Sequence, residues 1–472
     1  MKMQPTNLRK NSKDALSNSK LQLAMGNMRR DFVDSRGRAI GQMPEYDLLK
    51  ADAKSRKDHT LANLDYYLEA FSEKCEETGG KVHWAVDGSA ACEIILGICK
   101  SVNAKKVTKS KSMIGEEIGI NKYLEHHGIE PIETDLGEYI IQLADEPPSH
   151  ITAPAIHKTK EEVAELFYEH HNSYKKTRRL SEIGEMCREA REVMRKKFFE
   201  AEIGITGANF LVAETGTSVI ATNEGNGDLT QILPRIHIVV ASIDKIVPTL
   251  EDGLTYLRLL ARTASGTEIT TYNTFSTGPR QASDLDGPEE FHVVLLDNKR
   301  SEMLAGPLRE MLRCIRCGAC LNHCPVYKSI GGHAYDWVYP GPMGSVLTPS
   351  IIGLEVSGSL PEASTFCGRC EAVCHMDIPL PGMMRHLREK AFSDNIVGKR
   401  HRFTLKAWNF FLKHPRLYYI LLKISTRLIY LLSKRKGYIA FFPGINAWTK
   451  SRDLPSSEGK TFMELWKRQN GK

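Results

Sequence analysis

The stretch CIRCGACLNHCP, residues 314–325, decides how the rest of the chain is read. Its thiols, Cys314, Cys317, Cys320 and Cys324, followed at once by Pro325, stand at the spacing C-x2-C-x2-C-x3-C-P. One loop at that spacing wraps three corners of a 4Fe-4S cube and points its fourth cysteine at a second cluster. A second loop must complete the pair. Cys367, Cys370 and Cys374 supply it as C-x2-C-x3-C, with Ser364 where the full pattern has another cysteine.

Crossed ligation assigns Cys314, Cys317, Cys320 and Cys374 to cluster one, and Cys324, Cys367 and Cys370 to cluster two. Cluster one is then a complete 4Fe-4S set. Cluster two has three thiolates. It is either a 4Fe-4S centre with an oxygen or nitrogen fourth ligand, for which Ser364 and His375 are the near candidates, or a 3Fe-4S centre. Structural zinc is the alternative for all seven cysteines, because C-x2-C thiolates also suit a tetrahedral ion. Zinc ribbons, however, pair C-x2-C with C-x2-C and do not run three cysteines before C-P.

A chain of 472 residues has length for about three domains. The four remaining cysteines, Cys75, Cys92, Cys99 and Cys187, lie among apolar neighbours and are expected to be buried thiols. The opening MKMQPTNLRKNSKDALSNSK has no apolar core of signal-peptide length, and no run of about 18 uninterrupted apolar residues occurs. The expected compartment is the reducing cytoplasm, where thiolates stay free to hold iron. The net charge of +7 is unevenly placed: from Gly398 to Lys472, seventeen Lys and Arg face Asp453, Glu458 and Glu464, a balance of +14 that leaves −7 for the rest. That charge bears on docking more than on fold.

Residues 1–57 are polar and basic without a strong apolar period, and read as a peripheral arm. Leu61, Leu64, Leu68, Phe71 and Cys75 then recur at three and four, giving a helix that stops at Gly79 and Gly80. Strands at Lys81–Val86, Lys105–Lys109 and Ile129–Thr134 alternate with helices at Ala90–Val102 and Gly119–His127, which argues a parallel α/β sheet. The Pro-rich segment SHITAPAIH (149–157) leads into helices at Lys160–His171 and Leu180–Ala201. Ile236–Ala241 and Phe291–Leu296 read as further strands, and Thr249–Ala264 as a helix. The charged turn Asp297-Asn298-Lys299-Arg300 reads as a domain boundary. A helix over Arg309–Cys314 delivers the first cluster loop, and PLPGMMRHLREKAF leaves the second as a helix. The Gly- and Pro-rich insert between the loops favours an α-helical ferredoxin.

The stretch GITGANFLVAETGTSVIATNEGNGD, residues 204–228, is the most informative of the α/β half. Its glycines permit sharp turns, while Glu214, Thr215, Thr217, Asn223 and Glu224 put polar groups at strand ends. Strand ends of an open α/β sheet line clefts, so a pocket for an acidic or phosphorylated small molecule is one reading. A hairpin with ordinary turn chemistry is the other, as neither G-x-G-x-x-G nor a P-loop is present. In the tail, Arg416, Lys423, Arg427 and Lys434 form a basic stripe on a helix otherwise apolar, from Leu417 to Leu432. That arc must be covered by its own protein, a partner or a membrane surface; a nucleic-acid module is not indicated. His126, His127, His170 and His171 are expected on solvated helix faces, while His150 and His157 stay open with a structural preference.

With SHITAPAIH, GANFLVAETGT and the two cysteine loops in one order, the chain from about residue 45 resembles the lactate-utilisation protein B family. The resemblance implies a cytoplasmic subunit needed to oxidise L-lactate to pyruvate. It implies two companions, a cysteine-rich iron-sulfur protein and a smaller protein sharing the α/β domain. It also implies an α/β fold similar to the ribose-5-phosphate isomerase and CoA-transferase group. The seven loop cysteines match the family's cluster ligands, and Ser364 fits its three-cysteine second loop. His375 departs from it, standing where Pro usually follows the last cysteine.

The expected organisation is therefore a basic arm (1–57), an α/β lactate-utilisation domain (58–300), a two-cluster α-helical ferredoxin domain (301–395) and a basic helical domain (396–472). The expected role is electron transfer within a dehydrogenase complex, without catalysis in this chain. The rival reading makes the α/β domain an enzyme on an acidic or CoA-type small molecule, with Glu214 as carboxylate nucleophile or base and the clusters structural or regulatory.

Overall fold

The computed structural model describes residues 7–175, 177–178, 180–441, 449 and 452–471, without the side chain of Arg29. The first six residues of the expected arm and the expected tail at 442–448, 450–451 and 472 lie outside the described residues. Residues through Lys390 form one compact unit and Ala391–Lys472 a second.

The arm is helical: α1 (Leu8–Ser17), α2 (Ser19–Gly26), α3 (Ser35–Gly41) and α4 (Tyr46–Ala62). It is not peripheral. Met25, Met28, Ala39, Met43 and Ala53 are buried, and the arm reaches the cysteine region through Gln22 Nε2 to Ser329 O (2.9 Å), Arg36 to Val373 O (3.0 Å) and Lys50 to Asp377 (2.5 Å). Scattered methionines carry no helical period, which is why the sequence concealed this packing.

The α/β part starts with α5 (Leu64–Glu77), whose buried Leu64, Leu68, Phe71 and Cys75 are the expected stripe; the expected single helix is divided at Asn63. A six-stranded sheet follows, made of β1 (Lys81–Ala85), β2 (Lys106–Lys109), β3 (Glu130–Glu133), β4 (Ile203–Gly207), β7 (Ile236–Ser242) and β10 (Glu290–Leu296). Its order is β1-β10-β7-β4-β2-β3, and every pairing is parallel. The helices α6 (Gly88–Ser101), α7 (Met113–Ile118), α8 (Ile120–His126), α9 (Leu136–Leu143), α10 (Lys160–His170), α11 (Ile183–Glu200), α12 (Asn226–Ile232) and α13 (Leu250–Ala264) accompany it. Strand β7 is buried along its whole length, as a central parallel strand covered on both faces should be. A second sheet, β8-β5-β6-β9, joins β5 (Phe210–Val212), β6 (Thr217–Thr222), β8 (Ile246–Val247) and β9 (Tyr272–Ser276), with β5 and β6 as an antiparallel hairpin. Residues 204–228 contain a hairpin, and Asn223 and Glu224 line a cavity at the strand ends, whereas Glu214, Thr215 and Thr217 do not.

The turn at Asp297–Arg300 is no break in packing. Arg300 begins α14 (Arg300–Ala305) with its side chain fully buried. Its guanidinium donates to both Glu117 oxygens (2.7 and 2.9 Å) and to Asp244 Oδ1 (2.9 Å). His171 and Cys187 also depart from expectation. His171 is buried, with Nδ1 2.6 Å from Glu189 and Nε2 3.1 Å from the Tyr139 hydroxyl, whereas Cys187 is exposed.

In the second unit, α21 (Lys399–Lys413), α22 (Pro415–Ser433) and a last helix (Phe462–Gln469) follow one another in the chain. Lys423 pairs with Glu464 at 3.3 Å. Phe403, Trp408, Ile420, Ile424, Leu431 and Leu432 are exposed. No described helix is long and apolar enough to cross a membrane.

Replacing Arg300 by Met strands two buried carboxylates, and the expected loss is about 3–5 kcal/mol in urea unfolding. Burial pushes Glu117 and Asp244 upward, but the facing cations more than offset it and hold both below the usual carboxylate range. Their stabilisation is thus present above the unfolded carboxylate pKa and is lost as pH falls through the lower folded values. An Arg300→Met protein with unchanged stability would show that the ion cluster does not hold the fold.

Candidate iron-sulfur site

The two cysteine loops share one backbone plan. A tight 3-10 turn at Arg309–Arg313, in place of the expected helix, ends at Cys314. Arg316 (φ 62°) and Gly318 (φ 78°) are left-handed, and α15 (Ala319–Asn322) follows. In the second loop Phe366 (φ 54°) and Gly368 (φ 77°) take the same places before α19 (Arg369–Ala372). Ser364 thus corresponds to Cys314, Cys367 to Cys317, Cys370 to Cys320 and Cys374 to Cys324. Glycine adopts this conformation freely, whereas Arg316 and Phe366 are held in it against steric cost, as happens where a loop must aim its groups inward. Between the loops lie α16 (Pro325–Ile330), α17 (Gly341–Ile352) and α18 (Leu354–Ser357), and α20 (Leu380–Ser393) leaves the second. Cys324 caps α16, its sulfur accepting from the Tyr327 N–H at 3.5 Å.

Burial is the leading influence on most of the loop thiols. Burial pushes Cys317 up to about 12, with Cys314 and Cys374 adding to the rise. Cys320 is raised by burial and then by Cys314, Cys317, Cys374 and Cys370. Cys370, raised to about 12 by burial, has Cys324 and Cys367 as its thiol neighbours. Cys367 is exposed, and the hydrogen bond from the Arg369 N–H leads in holding it below the ordinary thiol value. Cys317 and Cys320 thus both feel Cys314 and Cys374, Cys370 feels Cys324 and Cys367, and Cys320 also feels Cys370. Among the described residues, no group of three or more ligand atoms within 4.8 Å of one another includes a cysteine. Sulfurs on one tetrahedral zinc would stand ~3.8 Å apart, given a Zn–S bond of about 2.3 Å.

The residues proposed for the incomplete set are placed differently. Ser364 Oγ accepts from the Phe366 N–H (3.1 Å) at the position equivalent to Cys314. His375 is buried and faces the other set, with Nδ1 3.9 Å from Cys317 Sγ; its Nε2 has no hydrogen-bond partner. Sequence reasoning missed the support beneath the first loop. His150 is buried, its Nε2 lies 3.0 Å from Asn322 Oδ1, and its Nδ1 accepts from the Thr152 and Ala153 N–H groups (3.1 Å each). Burial brings its imidazole down to about 3, so it is neutral and suited to accept on one side and donate on the other. His157 instead meets Glu146 at 2.8 Å.

A cavity of about 360 Å³ opens where β2, β4 and β7 end. Ligands of parallel sheets bind at such carboxyl ends. Its lining includes Lys111, Lys245, Asn209 and Glu224 from the α/β part, Thr152 from SHITAPAIH, and Arg316 from the first cysteine loop. Glu214 is not part of it: exposed, it accepts from the Leu250 N–H (2.6 Å) at the start of α13.

Fold and site together define a parallel-sheet α/β domain followed by a dicluster ferredoxin-like domain. Residues 68–296 match the LUD domain, 310–378 the 4Fe-4S dicluster domain and 369–471 the C-terminal family of lactate utilisation protein B. The chain is 41% identical over 435 residues to lactate utilization protein B of Shouchella clausii, covering 92% of this chain and 90% of that one. It is 40% identical over 450 residues to the uncharacterized electron transport protein YkgF of Escherichia coli, covering 94% and 93%. The chain belongs to the lactate utilisation protein B family. A crystal structure of a DUF162 family protein from Deinococcus radiodurans aligns with 49% of this chain and 98% of its own at 15% identity and a TM-score of 0.28, too distant to carry an argument.

Cys320→Ala is expected to lower the iron and sulfide of anaerobically purified protein to roughly half, since it removes one corner of one of two clusters. Cys187→Ser is expected to leave both counts unchanged. Equal iron in all three proteins would remove Cys320 from the ligand set.

Proposed function

We propose that this chain is an iron-sulfur electron-transfer subunit required for the oxidation of L-lactate to pyruvate. The observation that carries this reading is the repetition of one loop backbone plan around seven cysteines within one compact unit that matches a 4Fe-4S dicluster domain. Clusters held there supply one-electron steps, two of which account for the electron pair that lactate loses. Cys314, Cys317, Cys320 and Cys374 hold a 4Fe-4S cluster; Cys324, Cys367 and Cys370 hold a 4Fe-4S or 3Fe-4S cluster. His375 Nδ1 lies 3.9 Å from Cys317 Sγ, and a ring N–H directed at that sulfur stabilises the reduced, more negative state of the first set. Names of relatives support the lactate and electron-transport parts of this proposal.

The partners are the two companion lactate-utilisation proteins, a cysteine-rich iron-sulfur protein and a smaller protein sharing the α/β domain, and the setting is the cytoplasm. The α/β domain is proposed to be akin to the ribose-5-phosphate isomerase and CoA-transferase group. The rival enzyme reading finds no support at Glu214, whose carboxylate is engaged as a helix cap.

Electron paramagnetic resonance on anaerobic protein, as isolated and after dithionite, tests the carrier role alongside iron and sulfide counts. The expected result is two reduced 4Fe-4S signals, or one with an oxidised 3Fe-4S signal. Lactate oxidation by the purified chain alone with an artificial acceptor would overturn it.

The basic tail is proposed as a docking element at the inner face of the membrane. Residues 395–452 contain no Asp or Glu, and the described part of that segment exposes large apolar side chains beside Lys and Arg. Basic residues near an anionic surface contribute about 1 kcal/mol each, screened by salt. Cosedimentation with vesicles containing anionic phospholipid is expected at 0.1 M salt, on the order of physiological ionic strength, and is expected to fall as salt rises. Equal recovery with neutral vesicles, or none with either, would exclude this role.

A further inference from the structure

The cavity above the sheet brings together cations from separate parts of the chain. Lys111 follows β2 and donates to Thr152 O at 2.5 Å. Lys245 follows β7, and burial, then the charge of Arg316, draws its ammonium down to about 7. Arg316 stands between Cys314 and Cys317; its side chain is 10% exposed, it donates to Cys314 O (3.2 Å), and its Nη2 is 3.8 Å from Asp244 Oδ2. Asp244 is shared with Arg300, so this carboxylate does not fully balance the cationic end. Toward α12 the lining changes character. Asn226 Oδ1 is buried without a hydrogen-bond partner, and Glu224 is raised by burial and by nearby Asp135. That end asks for a hydrogen-bond donor.

Size narrows the occupant. At about 360 Å³ the cavity falls within the range of about 300–1,000 Å³ usual for small-molecule sites. A three-carbon acid would leave most of it unfilled. An occupant with a negative group at one end and hydroxyl groups at the other satisfies both the cations and the unpartnered Asn226.

We propose that the cavity binds a polyhydroxylated organic anion, its carboxylate or phosphate seated among Lys111, Lys245 and Arg316, and that the bound anion lowers the potential of cluster one through Arg316. A negative charge beside Arg316 offsets a cation next to two cluster ligands, which disfavours adding an electron there. The binding half stands independently of the electron-transfer reading; the potential half rests on it.

Calorimetry on the anaerobic, cluster-loaded full chain separates the chemistries. Gluconate carries the carboxylate, glucose 6-phosphate the phosphate, and L-lactate and inorganic phosphate are the small references. One of the two larger anions is expected to bind at least tenfold tighter than either reference, and which one does so names the anionic group. Lys245→Met is expected to weaken that binding tenfold or more with iron content and Tm unchanged, and Lys111→Met is a second, independent variant. No heat from either larger anion, or equal affinity in both variants and the parent, would overturn the site. In a redox titration followed by paramagnetic resonance, saturation with the binder is expected to move the midpoint of cluster one downward in the parent and not in Arg316→Met. Binding without such a shift would overturn the coupling. Clusters that cannot be reduced at all would defeat the electron-transfer reading while leaving the calorimetry intact.

Discussion

Two buried carboxylates, Glu117 and Asp244, hold the cysteine region against the sheet. Arg300 bridges them from the end of β10, the Tyr339 hydroxyl donates to Glu117 at 2.7 Å, and Arg316 approaches Asp244 from the first cluster loop. Lys57, arriving from the arm, donates to the Asp244 backbone oxygen. Charges this deeply buried are tolerated only because each is paired and hydrogen-bonded, so each partner depends on the others being in place. Arm, sheet and cysteine region are accordingly parts of one compact unit.

That constraint explains why the first cluster loop can be both strained and well placed. Arg316 adopts a left-handed backbone, and its side chain is fixed by Cys314 O, by Asp244 and by the Tyr339 ring, 5.5 Å from the guanidinium carbon. Phe366 has the equivalent backbone in the second loop, with the Arg388 guanidinium 4.3 Å from its ring centroid. The loops repeat a backbone plan but differ in what surrounds them. The first leans on the α/β domain and a buried neutral His150; the second carries the exposed Cys367 and the serine in place of a cysteine.

Much of this was legible in local pattern. Apolar runs located five of the six parallel strands, and the Leu64–Cys75 stripe located its helix. The misreadings share a cause: each concerned a side chain whose partner lies far along the chain. The burial of the Arg300 side chain was not legible, because Glu117 lies 183 residues away. His171 looked solvated because its partners Tyr139 and Glu189 come from other helices. Met25 and Met28 looked like part of a loose arm because buried methionine imposes no periodic signature.

The sequence by itself determined the chemistry and the elements: which thiols are present, how they are spaced, where strands and helices run, and where basic charge concentrates. These depend on covalent order and short-range periodicity, which a linear chain displays directly. Only the tertiary structure decided that His375 faces Cys317, that Glu214 caps a helix, and that Arg316 closes a cavity at the ends of β2, β4 and β7. Those outcomes depend on long-range packing of buried charge, where the energy of one residue is set by a partner that no local pattern announces.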